Sequence, residues 1–410
     1  MKRVAITGLG VISAVGNTPE TFFENLVKGK CGIDFITSFN TDELKVKIAA
    51  QVQDFNISDY IEKSVARRMD LYAQYAISAA AQAFADSGIE NNINPQRFGV
   101  YVGSGIGGMN TFIEQANNLK QHGPRKISPH FIPMMISNIA AGNIAIRFGA
   151  EGPCLPVVTA CSTGTNEIGE AFLAIRHGYA DAIIAGGSEA AINPLSIAGF
   201  TNCMALTDRN DPADSSIPFD QRRDGFVIGE GAGIVVLEEY EHAKARGAKI
   251  YCEIAGYGNT CDAHHVTAPH PEATGAARAM ELALAQAGYT PDMNIYINAH
   301  GTSTPLNDKT ETLAIKNALG DKAYTANISS TKSMTGHALG AAGGLEAICA
   351  ALALKNGVVP PTIGLKCSDP DCDLDYTPKR SKNAALDIAL SNTFGFGGHN
   401  GVLAFKPFNI

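Results

Sequence analysis

The sequence predicts an α/β protein in which one folding unit occurs twice. Continuous apolar, strand-like runs alternate with stretches of helical spacing, as in sheets covered on both faces by helices. The order of these runs in the first part of the chain recurs from Ile250 onward. The most reactive side chains follow strand-like runs, where open α/β sheets gather their chemistry.

Val4-Ala-Ile-Thr-Gly-Leu-Gly-Val opens the first half as a strand. Met69, Tyr72, Ala73, Ala76, Ala80, Ala83 and Phe84 lie at helical spacing, and Gly88 stops that helix. Val100-Tyr101-Val102 then runs as a strand into the glycine-rich turn Gly103–Gly108. Val157-Val158-Thr159 reads as a strand leading to Cys161 and a helix ending near Gly178, and the strand Ala182-Ile-Ile-Ala closes the half. In the second half Ile250-Tyr-Cys-Glu-Ile-Ala-Gly is the opening strand, with Met280, Ala283, Leu284 and Ala287 on a helix that stops at Gly288. Ile295-Tyr296-Ile297 leads to the turn His300-Gly-Thr-Ser-Thr304. Ile328-Ser-Ser leads through His337 to a helix ending near Gly357, and Ala389-Leu-Ser-Asn is the closing strand. Domains are expected at 1–250 and 251–410, with no Pro- or Ser-rich linker between them.

Of 410 residues 45% are hydrophobic and 18% charged, enough apolar matter for a large core. A net charge of −8 without a long basic run argues against a nucleic-acid surface. Nine cysteines at irregular spacings, with no C-x-x-C pair, suggest neither a disulfide framework nor a zinc site, and a reducing, cytoplasmic setting fits them. Lys2-Arg3 before the apolar run Val4–Gly16 has the outline of a signal peptide, but Thr7, Gly8 and Gly10 interrupt the run. Ala338–Leu354 is short, glycine-rich and carries Glu346, so it reads as a buried helix of a soluble protein rather than a membrane span.

Gly8-x-Gly10-x-x-Ser13 lacks the third glycine of a dinucleotide fingerprint and no acidic strand end follows it. The Gly103–Gly108 turn is better read as structural. Cys161 stands where a strand turns into a helix, and a helix N-terminus favours thiolate while its free N–H groups can bind an oxyanion. His300 and His337 sit in polar turns flanked by Gly and Thr, and together with the cysteine they form a credible nucleophile and acid/base set. Lys332 shares the His337 segment with few other charges. Glu346, inside an apolar helix, needs a cation or hydrogen-bond donors. Asn392-Thr-Phe-Gly-Phe-Gly-Gly-His-Asn400 reads either as a plain β-turn or as an aromatic gate hinged on glycines 395, 397 and 398.

Thr159-Ala-Cys161, Asn298-Ala-His300-Gly-Thr-Ser-Thr, Ser330-Thr-Lys332-Ser-Met-Thr-Gly-His337 and Phe394-Gly-Phe396-Gly-Gly together resemble the elongating β-ketoacyl-acyl-carrier-protein synthases, most closely type II, of the thiolase-fold superfamily. The resemblance spans essentially the whole chain. It implies a homodimer of five-layered α-β-α-β-α fold and a ping-pong condensation that lengthens a fatty acyl chain. In this reading Cys161 takes the acyl group from acyl carrier protein, and His300 and His337 stabilise the enolate formed when malonyl carrier protein loses carbon dioxide. Backbone N–H groups of Cys161 and Phe396 would form the oxyanion hole, and Lys332 and Glu346 would tune the histidines. Thr302, Thr304, Phe394, Ile106, Phe200 and Thr267 are the implied substrate contacts, and Arg67, Arg68, Arg125 and Lys126 the implied carrier-protein docking residues. No organic cofactor is implied, because the substrates bring their own phosphopantetheine. A structural monovalent cation, Na⁺ or K⁺, is implied near Asn298, Glu346 and Asn392.

Two positions depart from many relatives: His399 stands where Thr is common, and Met204 where some carry an arginine that contacts the carrier. A thiolase or initiating synthase fits less well, since the initiating type has asparagine in place of a second histidine. A non-catalytic chain-length partner subunit would lack Cys161. Polyketide and aryl-polyene synthases keep the same three residues, and neither acyl length nor type I versus type II is written in the motifs.

Overall fold

The computed structural model describes residues 1–408. Nine strands form one mixed sheet. They are β1 (Val4–Ser13), β2 (Phe98–Gly103), β3 (Ala182–Glu189), β4 (Gly231–Glu239), β5 (Cys252–Cys261), β6 (Ile295–Asn298), β7 (Asn327–Ser329), β8 (Ile388–Gly395) and β9 (His399–Lys406). Their order is β2-β3-β4-β1-β5-β9-β8-β6-β7. The centre is a short antiparallel pairing of Val4–Ile6 with Cys252–Ile254. Outward from this seam the halves repeat one another. β1-β4-β3-β2 on one side corresponds to β5-β9-β8-β6 on the other, each with two antiparallel pairings followed by a parallel one.

Five long helices complete the layers: α1 (Leu71–Ser87), α2 (Thr163–Arg176), α3 (Thr274–Ala287), α4 (Pro305–Leu319) and α5 (Ala342–Asn356). Alternate residues of each strand divide between layers. Ile183, Val235 and Leu237 turn inward with Leu403 and Phe405 onto Ile168 and Phe172 of α2 and Ile348 and Ala351 of α5. Ile184, Ile234 and Val236 turn outward onto Ala76, Ala80 and Ala83 of α1. Ile297, Leu390 and Val402 turn outward onto α3 and α4. The result is the expected five-layered duplicated α/β sandwich, in which the two halves of the sheet form the two β layers: α1 / β2-β3-β4-β1 / α2 and α5 / β5-β9-β8-β6-β7 / α3 and α4. Burial on both faces explains why the strands are apolar throughout rather than alternating.

The glycines of the opening strands repeat as well. A Cβ on Gly10 would stand 1.9 Å from the Ala79 carbonyl oxygen of α1, and one on Gly258 would stand 1.9 Å from that of Ala279 in α3. Gly8 and Gly256 meet Ala83 and Ala283 in the same way. These glycines let a helix lie directly on a strand, so the dinucleotide-like pattern is a packing feature. The Lys2–Gly16 segment contributes a wholly buried strand, and α5 is buried along almost its whole length. No helix among the described residues is long and apolar enough to cross a membrane.

Two expectations need correction. Each half closes with a further strand, β4 and β9, so Ala182–Glu189 and Ile388–Gly395 are interior rather than last. Val157-Val158-Thr159 is not a strand: only Cys154 bridges Val100, and the chain then runs irregularly to Cys161. This stretch holds the place that β7 fills in the other half, but at a sheet edge with Leu155 and Val158 exposed. Without a neighbour beyond it, its ladder is unpaired.

Candidate active site

Cys161 lies in a single 3₁₀ turn, Ala160–Ser162, that runs into α2 at Thr163. Ala160 is held at φ 50°, a left-handed conformation that costs a non-glycine residue energy and tends to persist where function requires it. The turn is fastened on both sides. Ser162 donates its hydroxyl to the Thr393 and His399 carbonyls, and Thr163 donates to the Ala160 carbonyl.

His300 follows β6 directly. Its own N–H and that of Gly301 donate to the two oxygens of Glu311 on α4, at 2.8 and 2.7 Å. His337 does not follow its strand directly: the one-turn helix Lys332–Thr335 intervenes after β7. Its backbone is clamped in both directions, N–H to the Val227 carbonyl at 2.7 Å and carbonyl to the Gly229 N–H at 2.8 Å. The rings of His300 and His337 stand edge to face with centroids 5.3 Å apart, and Phe394 and Phe226 flank them.

Cys161, His300, His337, Phe394 and Phe396 line one cavity of about 370 Å³ together with Phe200, Thr267, Thr302 and Thr304. The threonine hydroxyls of 302 and 304 are 2.9 Å apart, and Thr267 is exposed at the cavity's rim. Met204 also lines it and is 87% exposed, so a thioether stands there where an arginine would be a cation. Ile106 is not on this cavity. It packs with Phe200, Cys161 and Phe396 in the neighbouring apolar cluster around Leu339. Phe396 sits in the tight turn between β8 and β9, half-buried, with Gly397 and Gly398 at φ 87° and 75°. Its backbone N–H favours the thiolate form of Cys161. Arg67, Arg68, Arg125 and Lys126 are all exposed, the first pair just after a short helix and the second in the turn Pro124–Lys126.

The electrostatics correct one sequence expectation. Burial pushes the Cys161 thiol up to about 11, and the opposing influences of Lys332 and the Phe396 N–H do not cancel it. Helix α2 starts two residues too late for its N-terminus to dominate. Cys161 therefore rests as a thiol. Both histidines are held well below their usual range, first by burial and then by the Lys332 cation, with His337 adding to the effect on His300. Each is a neutral imidazole with one N–H to give. Lys332 is itself buried and ion-paired with Glu346. Burial pushes Glu346 up to about 7 against the pull of Lys332.

Glu346 Oε2, Asn392 Oδ1 and both side-chain atoms of Asn298 are buried without a hydrogen-bond partner among the described residues. Asn298 and Asn392 come from adjacent strands, where Ser391 is paired with Asn298. Orphaned oxygens of this kind suit a hard monovalent cation, whose charge would satisfy several acceptors at once.

Of the buried carboxylates that were not foreseen, Glu311 and Glu189 bond to loops beside the cavity. Glu311 shares the buried face of α4 with Asp308, Ile315 and Leu319, so an acidic residue at apolar helical spacing was the available signal. Glu189 ends the otherwise apolar strand β3.

Fold and cavity together define a condensing acyltransferase of the thiolase fold, in which a half-buried thiol shares one cavity with two neutral imidazoles. Residues 1–243 match the N-terminal domain of β-ketoacyl synthases and residues 251–366 the C-terminal domain, and the chain belongs to that family. It is 51% identical over 409 residues to the 3-oxoacyl-[acyl-carrier-protein] synthase 2 of Synechocystis sp., covering 99% of this chain and 98% of that one. The protein of the same name from Staphylococcus aureus strain COL is 52% identical over 408 residues, with 99% of both chains covered. A β-ketoacyl synthase from Burkholderia phymatum superposes with a TM-score of 0.92 at 35% identity over 100% of both chains. The same values hold for a chain from a complex of a type II polyketide acyl-carrier protein with its ketosynthase bound to the hexaketide.

Proposed function

We propose that this chain is a 3-oxoacyl-[acyl-carrier-protein] synthase of type II, which lengthens fatty acyl chains by decarboxylative Claisen condensation with malonyl carrier protein. The observation that carries this reading is the pairing of Cys161 with two imidazoles kept neutral by burial and Lys332.

The roles follow from the chemistry. The Cys161 sulfur attacks the acyl thioester, its proton leaves with the carrier's thiol, and the tetrahedral oxyanion is met by the N–H groups of Cys161 and Phe396. Malonyl carrier protein then enters. As its carbon–carboxylate bond breaks, carbon dioxide departs and the electron pair moves toward the thioester oxygen, which accepts hydrogen bonds from His300 and His337. An imidazolium would be a stronger donor, but forming one beside Lys332 is unfavourable, and two neutral donors suffice for an enolate held out of water. The carbanion attacks the acyl–Cys161 carbonyl and Cys161 leaves as a thiolate, which takes up one proton from solvent to regenerate the thiol. Thr302 and Thr304 present adjacent hydroxyls to the phosphopantetheine arm, and Phe200, Phe394 and Thr267 contact the substrate. Ile106 borders the acyl chain from the apolar cluster behind Cys161. Asn298, Glu346 and Asn392 would hold a monovalent cation that balances the buried carboxylate charge.

The carrier protein docks through Arg67, Arg68, Arg125 and Lys126, which offset the chain's net negative charge locally. The protein acts as a homodimer, in which the unpaired edge at Cys154–Thr159, with exposed Leu155 and Val158, pairs with its own copy. Nine unpaired cysteines suit the cytoplasm. Turnover with a ladder of acyl carrier proteins plus malonyl carrier protein, read by product mass, tests the reading. It predicts 3-oxoacyl products one two-carbon unit longer than each accepted primer, and an absence of any lengthened product would overturn it.

A further inference from the structure

Glu189 is fully buried at the end of β3, and every oxygen of its carboxylate is used. Oε1 accepts from the Ser104 hydroxyl at 2.7 Å and the Ile106 N–H at 3.3 Å. Oε2 accepts from the Gly105 N–H at 2.9 Å and the Gly340 N–H at 3.1 Å. Ser104 in turn accepts from the Gly107 N–H at 2.9 Å, which closes the glycine-rich turn on itself. One carboxylate therefore ties the turn after β2 in the first half to the Leu339–Ala341 turn in the second, three residues past His337.

The spacing leaves nothing else room. A Cβ on Gly340 would stand 2.4 Å from the Gly105 nitrogen, and one on Gly105 would stand 2.8 Å from Glu189 Oε2 and 3.3 Å from the Ala160 carbonyl oxygen. The knot thus lies against the strained residue that precedes the nucleophile. Its two bulky outgrowths, Ile106 and Leu339, are in the same apolar cluster as Cys161, Phe200 and Phe396. Only an acceptor-only group can serve four donors here, since the amide of a glutamine would present an NH₂ to backbone N–H groups. Glu189 touches neither thiol nor imidazole by hydrogen bond, so it plays no part in the chemical steps derived above.

We propose that Glu189 is a positioning residue for the acylation half-reaction, fixing Ile106 and Leu339 as the wall beside Cys161 along which the acyl chain is laid. The inference rests on the condensing reading above. Fixing the wall selects chains by length, because a loosened Ile106 admits geometries that carry the thioester carbon away from the sulfur. His337 has its own clamp at Val227 and Gly229, so decarboxylation does not depend on this knot. The Glu189 charge also acts on the Cys161 thiol in the direction opposite to Lys332, while His300, His337, Cys203, Asp224 and Asp262 are the other titratable groups that line this cavity.

The test uses the full-length protein with Glu189→Gln and, as a milder cut, Ser104→Ala. Acyl transfer to Cys161 is followed by intact-protein mass across a ladder of acyl carrier proteins, carbon dioxide release is measured with malonyl carrier protein, and iodoacetamide inactivation is followed against pH. Glu189→Gln should slow acylation by about tenfold and alter the ranking of chain lengths, while carbon dioxide release stays within about twofold. Its inactivation profile should move to lower pH because the charge that opposes the thiolate is gone, whereas the altered ranking with intact carbon dioxide release is the readout that a merely structural role would not move. Ser104→Ala should change the ranking in the same direction by less, and it decides the matter alone if Glu189→Gln does not fold. Unchanged ranking in the variants that fold, or both half-reactions falling together with the melting temperature, would overturn the inference. A wild type that takes no acyl group would overturn the condensing reading instead.

Discussion

The two halves share strand order, layer and even the glycines under their outer helices, yet they carry different chemistry. After β6 the second half presents His300, and after β7 it presents His337. At the matching places the first half presents a glycine-rich turn with no reactive side chain and then, after an irregular edge in place of a strand, Cys161. Each half also fastens a loop beside the cavity with a buried carboxylate that burial has pushed up to about 7, Glu189 in the first and Glu311 in the second. The duplication supplies a common scaffold. In the proposed mechanism, divergence in the loops beyond the strand ends divides the labour, with the nucleophile on one half and the enolate donors on the other.

The largest effects should follow from removing one half's contribution entirely. Cys161→Ala should lower condensation by about 10³-fold or more, since Cys203, the other thiol on the cavity, lies exposed away from the strained turn at Ala160, and product mass spectrometry checks it. His300→Ala and His337→Ala should each slow malonyl decarboxylation by about 10²-fold, measured as carbon dioxide release, because each deletes one donor to the enolate.

A smaller cut falls on the electrostatic link. Because both imidazoles are held below their usual range, the decarboxylation rate should show no titration step as pH falls through 6.5, the value at which an ordinary histidine becomes charged. Lys332→Met removes the cation that opposes imidazolium, so a step in the profile should then appear nearer neutrality. The same change leaves buried Glu346 unpaired and should cost about 3–5 kcal/mol by urea unfolding. A profile that did not move would show that burial alone sets the histidines.

Smaller again is the effect at the surface. Charge reversal at Arg67, Arg68, Arg125 and Lys126 should raise KM for carrier-borne substrates several-fold, about 1 kcal/mol, and leave short pantetheine thioesters nearly untouched. Equal losses on both would point to misfolding. Phe396→Ala should alter the balance between acylation and decarboxylation more than it lowers the melting temperature, because the glycines beside it permit the ring to swing. Unchanged half-reactions with a large drop in melting temperature would make Phe396 simple packing.

The duplicated sandwich was legible because its strands are buried on both faces and its helices end at glycines 88, 288 and 357, all in the left-handed region. The edge segment 155–159 was misread because β-branched residues favour strand wherever they occur, and only pairing decides. Of the site, the cysteine and both histidines could be read from their turns. Their protonation states could not. The thiol's rise and the imidazoles' fall come from burial and from Lys332, which sequence proximity to His337 hints at but the cavity alone fixes. Glu189 and Glu311 escaped notice because their partners are backbone N–H groups far away in sequence.

The division of labour between the halves is tested most directly by separating the half-reactions in the same set of proteins. Wild type, Cys161→Ala, His300→Ala and His337→Ala would each be given acyl carrier protein alone, with the adduct weighed, and malonyl carrier protein alone, with carbon dioxide measured. The account predicts a crossed result: Cys161→Ala takes no acyl group but still releases carbon dioxide, whereas the histidine variants are acylated at Cys161 and release about 10²-fold less. Histidine variants that decarboxylate at the wild-type rate, or an acyl adduct on Cys161→Ala with turnover intact, would contradict it.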